Sequence, residues 1–243
     1  MKKLLGFSIF LVFVLIASLT AEAKVTLPAI FSDNMVLQQN TQVNVWGKAA
    51  PGEKVTVKAS WLDKAVTAKA AANGKWTVKL KTPKAITNQS VTVSGENEIT
   101  INNVLIGEVW LCTGQSNMEF PVSRHPDVKW NTGMLNEVEE LKDADYPEIR
   151  LFHVKHQLAH EGELDDCEGE WLVCNPKNLY DFSAVGFVFG RKLYKELKMP
   201  VGLIQSTWGG THAESWTKLD VMKKNPLYAD VLKDFALEGV KQQ

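Results

Sequence analysis

The sequence predicts a β-sandwich followed by an open α/β domain, an α+β chain of two regions. Two observations carry this. From Lys24 to about Asn103, short runs alternate apolar and polar residues with many β-branched side chains; from Val104 onward, continuous apolar runs interleave with helix-like stretches. A third observation, a leader-like start, sets off residues 1–23 from both regions.

In chain order, Lys2 and Lys3 precede an apolar run from Leu4 to Leu19, and the small-residue triplet Ala21-Glu22-Ala23 follows. That is the layout of a secretory signal peptide cleaved after Ala23, and the run is short for a span of the bilayer. The expectation is an exported protein, periplasmic or secreted, with no membrane anchor after cleavage. The formal net charge is -1, which gives no basic footprint for nucleic acid. With 45% hydrophobic and 23% charged residues, the chain reads as globular rather than disordered.

Gln42-Val43-Asn44-Val45-Trp46 and Lys54-Val55-Thr56-Val57-Lys58 read as half-buried strands, with Pro51-Gly52 as the turn between them. Asn73-Gly74 separates Val66–Ala70 from Trp76–Leu80 and reads as a tight hairpin turn. Residues 24–103 are thus expected to form an all-β sandwich.

Residues 104–243 change grammar. Val104–Ile106 and Val109–Cys112 suit a strand buried on both faces of a parallel sheet. Met134–Lys142 carries a helix, Ile149–Val154 a strand, and Ser183–Lys198 a strong helix with Val185, Phe189, Leu193 and Leu197 at every fourth position. Ser183 can cap that helix and Met199-Pro200 ends it; Val201–Gln205 follows as a buried strand, and another helix-like segment begins near Pro226.

Loops at the carboxyl ends of such strands carry the chemistry. Two stand out: Thr113-Gly114-Gln115-Ser116-Asn117-Met118-Glu119 and Ser206-Thr207-Trp208-Gly209-Gly210-Thr211-His212-Ala213-Glu214. A serine hydroxyl becomes a nucleophile when a base takes its proton and nearby donors hold the oxyanion. Ser116, after a glycine in a strand-to-helix turn, suits that role; Gln115 and Asn117 can add side-chain donors, and Gly209-Gly210 lets a second backbone segment approach. A helix-capping serine is the structural alternative, and Met118 stands where a Gly-x-Ser-x-Gly elbow has its last glycine.

The residues Gly107-Glu108-Val109-Trp110-Leu111-Cys112-Thr113-Gly114-Gln115-Ser116-Asn117-Met118, the block Trp208-Gly209-Gly210-Thr211 with Glu214 and Trp216, and the opening Leu27-Pro28 with Phe31–Gln38 together resemble the sialate O-acetylesterases and related carbohydrate acetylesterases of the SGNH hydrolases. The resemblance implies a β-domain leading into a flavodoxin-like α/β/α hydrolase domain that needs neither metal nor cofactor. It implies Ser116 as nucleophile and an oxyanion hole from the amides of Ser116, Gly209 and Gly210. Gln115, Asn117, Thr211, Glu214 and Trp216 would face an acetylated sugar or glycan substrate.

Such enzymes complete the site with Asp-x-x-His, and none of His125, His153, His156, His160 or His212 has an aspartate three residues before it. The expectation is an incomplete hydrolase domain whose base lies beyond Gln243. His212, within the second loop, is the candidate substitute. His153, His156 and His160 invite a metal reading, but strand alternation points His153 and His156 to opposite faces. Asp165, Asp166, Glu168 and Glu170 read first as a solvated loop and only distantly as a calcium site. Of the three cysteines, Cys112 reads as a small buried hydrophobe, while pairing of Cys167 with Cys174 stays open.

Eight tryptophans raise glycan binding by stacking, against which Trp46 and Trp76 read as sandwich core. Three functions remain in view: an exported esterase acting on acetylated sialic acid or another acetylated sugar, an esterase of acetylated plant polysaccharide such as xylan, and a non-catalytic glycan-binding fragment.

Overall fold

In the computed structural model, residues 24–124, 133–158 and 164–233 are described; the predicted signal peptide lies outside them. The described residues before Ser116 form strands and turns: β1 (Val36–Gln38), β2 (Gln42–Lys48), β3 (Lys54–Ala59), β4 (Val66–Lys69), β5 (Lys75–Lys81), β6 (Ile86–Ser94) and β7 (Glu98–Gly114). Helices and strands then alternate: α1 (Ser116–Glu119), α2 (Glu137–Lys142), β8 (Tyr146–His153), β9 (Trp171–Cys174), α3 (Pro176–Leu179), α4 (Ala184–Leu197) and β10 (Val201–Thr207). Single 3-10 turns at Ala213–Trp216 and Pro226–Tyr228 flank α5 (Leu219–Met222).

Eight strands make one mixed sheet in the order β4-β3-β6-β7-β10-β8-β9, with β1 beside β7, while β2 and β5 form a separate pair. β7 joins the two regions. Its first part pairs antiparallel with β6, and its last part pairs parallel with β10, from Glu108 opposite Val201 to Gly114 opposite Thr207. The expected boundary between residues 103 and 104 falls inside this strand. The chain is therefore mixed α/β around a large central sheet.

Burial alternates strictly along β5, with Trp76, Val78 and Leu80 inward, because successive strand side chains point to opposite faces. They share a core with Val55 and Val57 of β3 and Val91 and Val93 of β6. Each such side chain contributes about 2 kcal/mol on leaving water. The second core lies under α4, where Phe187 meets Cys112 of β7, Ile149 and Leu151 of β8, and Leu203 of β10.

Several expectations are corrected. β4 and β5 are not a hairpin: β4 pairs with β3, and β5 with β2. The Asn73-Gly74 turn does form, but only Gly74 takes a positive φ, so the twist of a two-residue hairpin is absent. Trp76 is core, but Trp46 is outward-facing and 39% exposed. The end of β7 is not covered on both faces, since Trp110 and Leu111 are exposed. On α4 the inward residues are Ala184, Gly186, Phe187 and Gly190, whereas Val185, Phe189 and Leu197 of the expected stripe are exposed. The cause is close approach: a side chain at Gly190 would stand 2.5 Å from Leu203, so the small-residue face sits on the sheet. Ser183 does cap α4, accepting from the Gly186 amide at 3.0 Å. The helix expected from Met134 starts at Glu137.

Cys167 and Cys174 are free thiols. They pack against different cores, Cys167 beside the first and Cys174 within the second. Burial raises the Cys112 thiol, as befits a small apolar residue, and pushes Cys174 up to about 12. The acidic run has specific partners: Asp165 pairs with Lys48 and Lys75, Asp166 accepts from the Ala29 amide, and Glu168 pairs with Lys155. Buried Arg150 donates to the amide oxygens of Asn34 and Asn103, tying the Phe31–Gln38 segment to β8.

Candidate active site

The site lies at the carboxyl ends of the paired strands β7 and β10. Gly114, with φ 150°, turns the chain out of β7, and Ser116 begins α1. The turn is fastened from below by a buried polar network. Gln205 of β10 accepts from the Ser183 amide at 2.7 Å and donates to Thr207 Oγ1 at 3.0 Å, while the Ala184 amide donates to Phe120 O at 2.8 Å. A fully buried amide with both ends satisfied is a rigid support, because losing either partner would strand a polar group out of water.

The second loop closes over the first. Trp208 N donates to Gly114 O at 3.1 Å, and Gln115 Nε2 donates to Thr211 O at 2.8 Å. Gly209 passes so near that a Cβ there would stand 3.6 Å from both Cα and Cβ of Ser116. Thr211 Oγ1 donates to Trp208 O and accepts from Trp216 Nε1, which shapes the loop from within. Gly210 has φ 77° and open space where a side chain would be. Asn117 and His212 are exposed, and Glu214 is half-buried in the turn that follows.

Ser116 Oγ donates to Gln115 Oε1 at 3.1 Å and is solvent-exposed. Among the described residues no histidine is bonded to it, His212 included. His125 and His160 lie outside the described residues.

The residue that sequence reasoning passed over is Glu119. Three positions after Ser116 on a helical turn, it lies on the same side of that turn, which is the signal that points to it. Its Oε2 accepts from the Gly209 amide at 2.5 Å, and its Oε1 stands 2.9 Å from His156 Nε2. His156 Nε2 is also 2.8 Å from Thr207 O, so with two acceptors before it that nitrogen carries the proton. The imidazole lies flat on Trp208, centroids 4.3 Å apart and planes 4° from parallel. His156 follows the end of β8, so strand alternation does not set its direction. Burial first, and the neighbouring His156 second, hold the His153 imidazole below its usual range.

Two consequences follow for the predicted oxyanion donors. Ser116 and Gly209 are brought together, but the Gly209 N–H is committed to Glu119. Gly210 stays on the open side of the loop. Among the described residues no group of three or more His, Cys, Asp or Glu side chains is set as metal ligands would be. No helix of the described residues is long and apolar enough to cross a membrane.

A serine turn at the end of one parallel strand, with a glycine loop from the adjacent strand folded onto it, places this chain among α/β proteins that carry their candidate site at the carboxyl ends of adjoining strands. Comparison with known proteins makes this particular. The chain belongs to the carbohydrate esterase family of sialic acid-specific acetylesterases, whose family model matches residues 106–241. It is 33% identical over 215 residues to a sialate O-acetylesterase of Mus musculus, covering 80% of this chain and 38% of that protein. The sialate O-acetylesterase of Homo sapiens is 31% identical over 205 residues, 76% of this chain and 37% of that protein. A crystal structure of a carbohydrate acetylesterase from Xanthomonas citri superposes with a TM-score of 0.70 at 32% identity, covering 79% of this chain and 42% of the other. The chain thus spans well under half the length of these relatives.

Proposed function

We propose that this chain is the nucleophile-bearing part of an exported serine esterase that removes O-acetyl groups from sialic acid or another acetylated sugar. The observation that carries the reading is the contact of the Gly209 loop with Ser116 at the ends of β7 and β10. Ser116 Oγ attacks the acetyl carbonyl, its proton passing to a base; the sugar hydroxyl leaves, and water then hydrolyses the acetyl-Ser116 ester. The amides of Ser116, Gly209 and Gly210 are the proposed oxyanion donors, with the Gly209 N–H bonded to Glu119 in this structure, which holds the loop in place. Gln115, Asn117, Thr211, Glu214 and Trp216 edge the sugar side. Among the described residues His212, in the second loop, is the candidate for that base. The domain reading that goes with this is a β-sandwich over residues 24–103 and a hydrolase domain from residue 104, following a cleaved signal peptide over residues 1–23. Acetylated xylan is the alternative substrate within the same chemistry.

A second reading, glycan binding without hydrolysis, is favoured by one observation: no described histidine is bonded to Ser116 Oγ. Labelling the 243-residue chain with a fluorophosphonate, mapped by mass spectrometry, decides between them. Stoichiometric modification at Ser116, lost in Ser116→Ala, is expected if a working base exists within these residues. A folded chain that takes no label supports the binding reading for this polypeptide, and label on another serine overturns the assignment of Ser116.

A further inference from the structure

Away from Ser116, a cleft of about 330 Å³ opens between β2, β5, the segment at Thr26–Pro28 and the loop at Asp165-Asp166. Trp46 stands on its wall, on the outward face of β2, and keeps 39% of its surface in solvent. Phe31 meets this indole in an edge-on contact, centroids 4.6 Å apart at 81°, which fixes the ring without covering it. The next residue, Gly47, is packed tightly beneath Thr26 and Trp76: a side chain there would stand 2.2 Å from Thr26 O and 2.9 Å from the Trp76 ring. Trp76, a core residue, closes the base of the cleft.

The rim is polar and electrically balanced. Lys48 and Lys75 both pair with Asp165, at 3.3 and 2.6 Å, and Asp166 lies beside them, so two cations face two carboxylates. All four side chains can exchange hydrogen bonds with hydroxyls, and the balance gives no net attraction for an anion. A fixed, half-open aromatic wall beside a neutral polar rim matches a ring with one apolar face and hydroxyls around its edge.

We propose that this cleft is a carbohydrate-binding subsite for an uncharged pyranose of a glycan, separate from the Ser116 loop. It stands on the lining of the cleft and does not depend on the acyl-transfer reading. A ring laid on Trp46 exchanges its hydroxyl hydrogen bonds with Lys48, Lys75 and Asp165, and the Phe31 contact means that little side-chain freedom is lost on binding.

The test titrates the full chain carrying Ser116→Ala, in which no ester turns over, with xylohexaose and separately with cellohexaose. Tryptophan fluorescence and isothermal calorimetry follow the binding. Saturable binding of at least one oligomer at millimolar concentration or below is expected, weakened about tenfold by Trp46→Ala. Lys75→Glu, which sets a third acid beside Asp165 and Asp166, is a second variant at an exposed position and is expected to weaken binding as well. An oligosaccharide ending in a sialic acid carboxylate is expected to bind less well than the neutral oligomers. Binding unchanged by both variants, or no saturable signal with either neutral oligomer, overturns the proposal. Fluorophosphonate labelling of Trp46→Ala with Ser116 intact reads the esterase proposal separately.

Discussion

The strands before Asn103 and the elements after it bury their apolar residues in different ways. Along β5, Trp76, Val78 and Leu80 are all buried, and their partners on β3 and β6 are equally closed to solvent. Along the end of β7 and on α4, large apolar groups stand in water instead: Leu111 is 62% exposed, and Val185 is 51% exposed. The second region adds specific polar ties to its smaller apolar core. Gln205 bonds Ser183 and Thr207, Glu119 bonds Gly209 and His156, and Arg191 of α4 pairs bidentately with Glu140 of α2. The first region is held by apolar packing between the β2-β5 pair and the large sheet, whereas the strand ends that carry the candidate chemistry add directed hydrogen bonds to a smaller apolar core under α4.

Substitutions can break this contrast. Leu80→Ala removes a fully buried side chain from the first core and is expected to cost about 3 kcal/mol, read as a lower urea midpoint. A cost below about 1 kcal/mol would show that the first core relaxes easily, and the contrast would fail. Glu140→Gln, in the second region, is expected to cost about 2 kcal/mol by leaving Arg191 without its charged partner. Hydrogen bonds from Arg191 hold the Glu140 carboxyl below the usual carboxylate range. Its contribution is therefore present above the ordinary carboxylate pKa and is lost as pH falls through the lower folded value. In acid the wild type should converge on Glu140→Gln when thermal midpoints are compared, and a constant gap across that range would remove Glu140 from the account. Leu111→Ser, the smallest effect, is expected to change stability by less than about 0.5 kcal/mol, because the side chain is already in solvent. A substantial loss would mean that Leu111 is covered in solution.

Period-two alternation located β2, β3 and β5 to within a residue or two, because a strand with one buried face writes that pattern directly. Partnership was not legible. β5 leaves the sheet that holds β4, and nothing in Asn73-Gly74 distinguishes a turn inside a sheet from a turn between sheets. The buried face of α4 was misread for a different reason. Spacing of large apolar residues selects Val185, Phe189 and Leu197, whereas the contact is made where Gly186 and Gly190 let the helix come close. Ser116 and the Gly209 loop could each be placed at the carboxyl end of a strand from sequence, but not the pairing of those two strands. The Glu119 latch could not, since its partners Gly209 and His156 come from two other segments of the chain.

The long strand β7 also joins a local pairing to a distant one. Its first half meets β6, its neighbour in sequence, whereas its last half must wait for β10, made only after every residue from Ser116 to Pro200. Non-local parallel pairing of this kind forms slowly, since the entropy of closing a long loop is spent before the contacts return it. The serine turn is fastened only where Thr207 lies beside Gly114, so the candidate site is completed by a pairing between segments far apart in the chain.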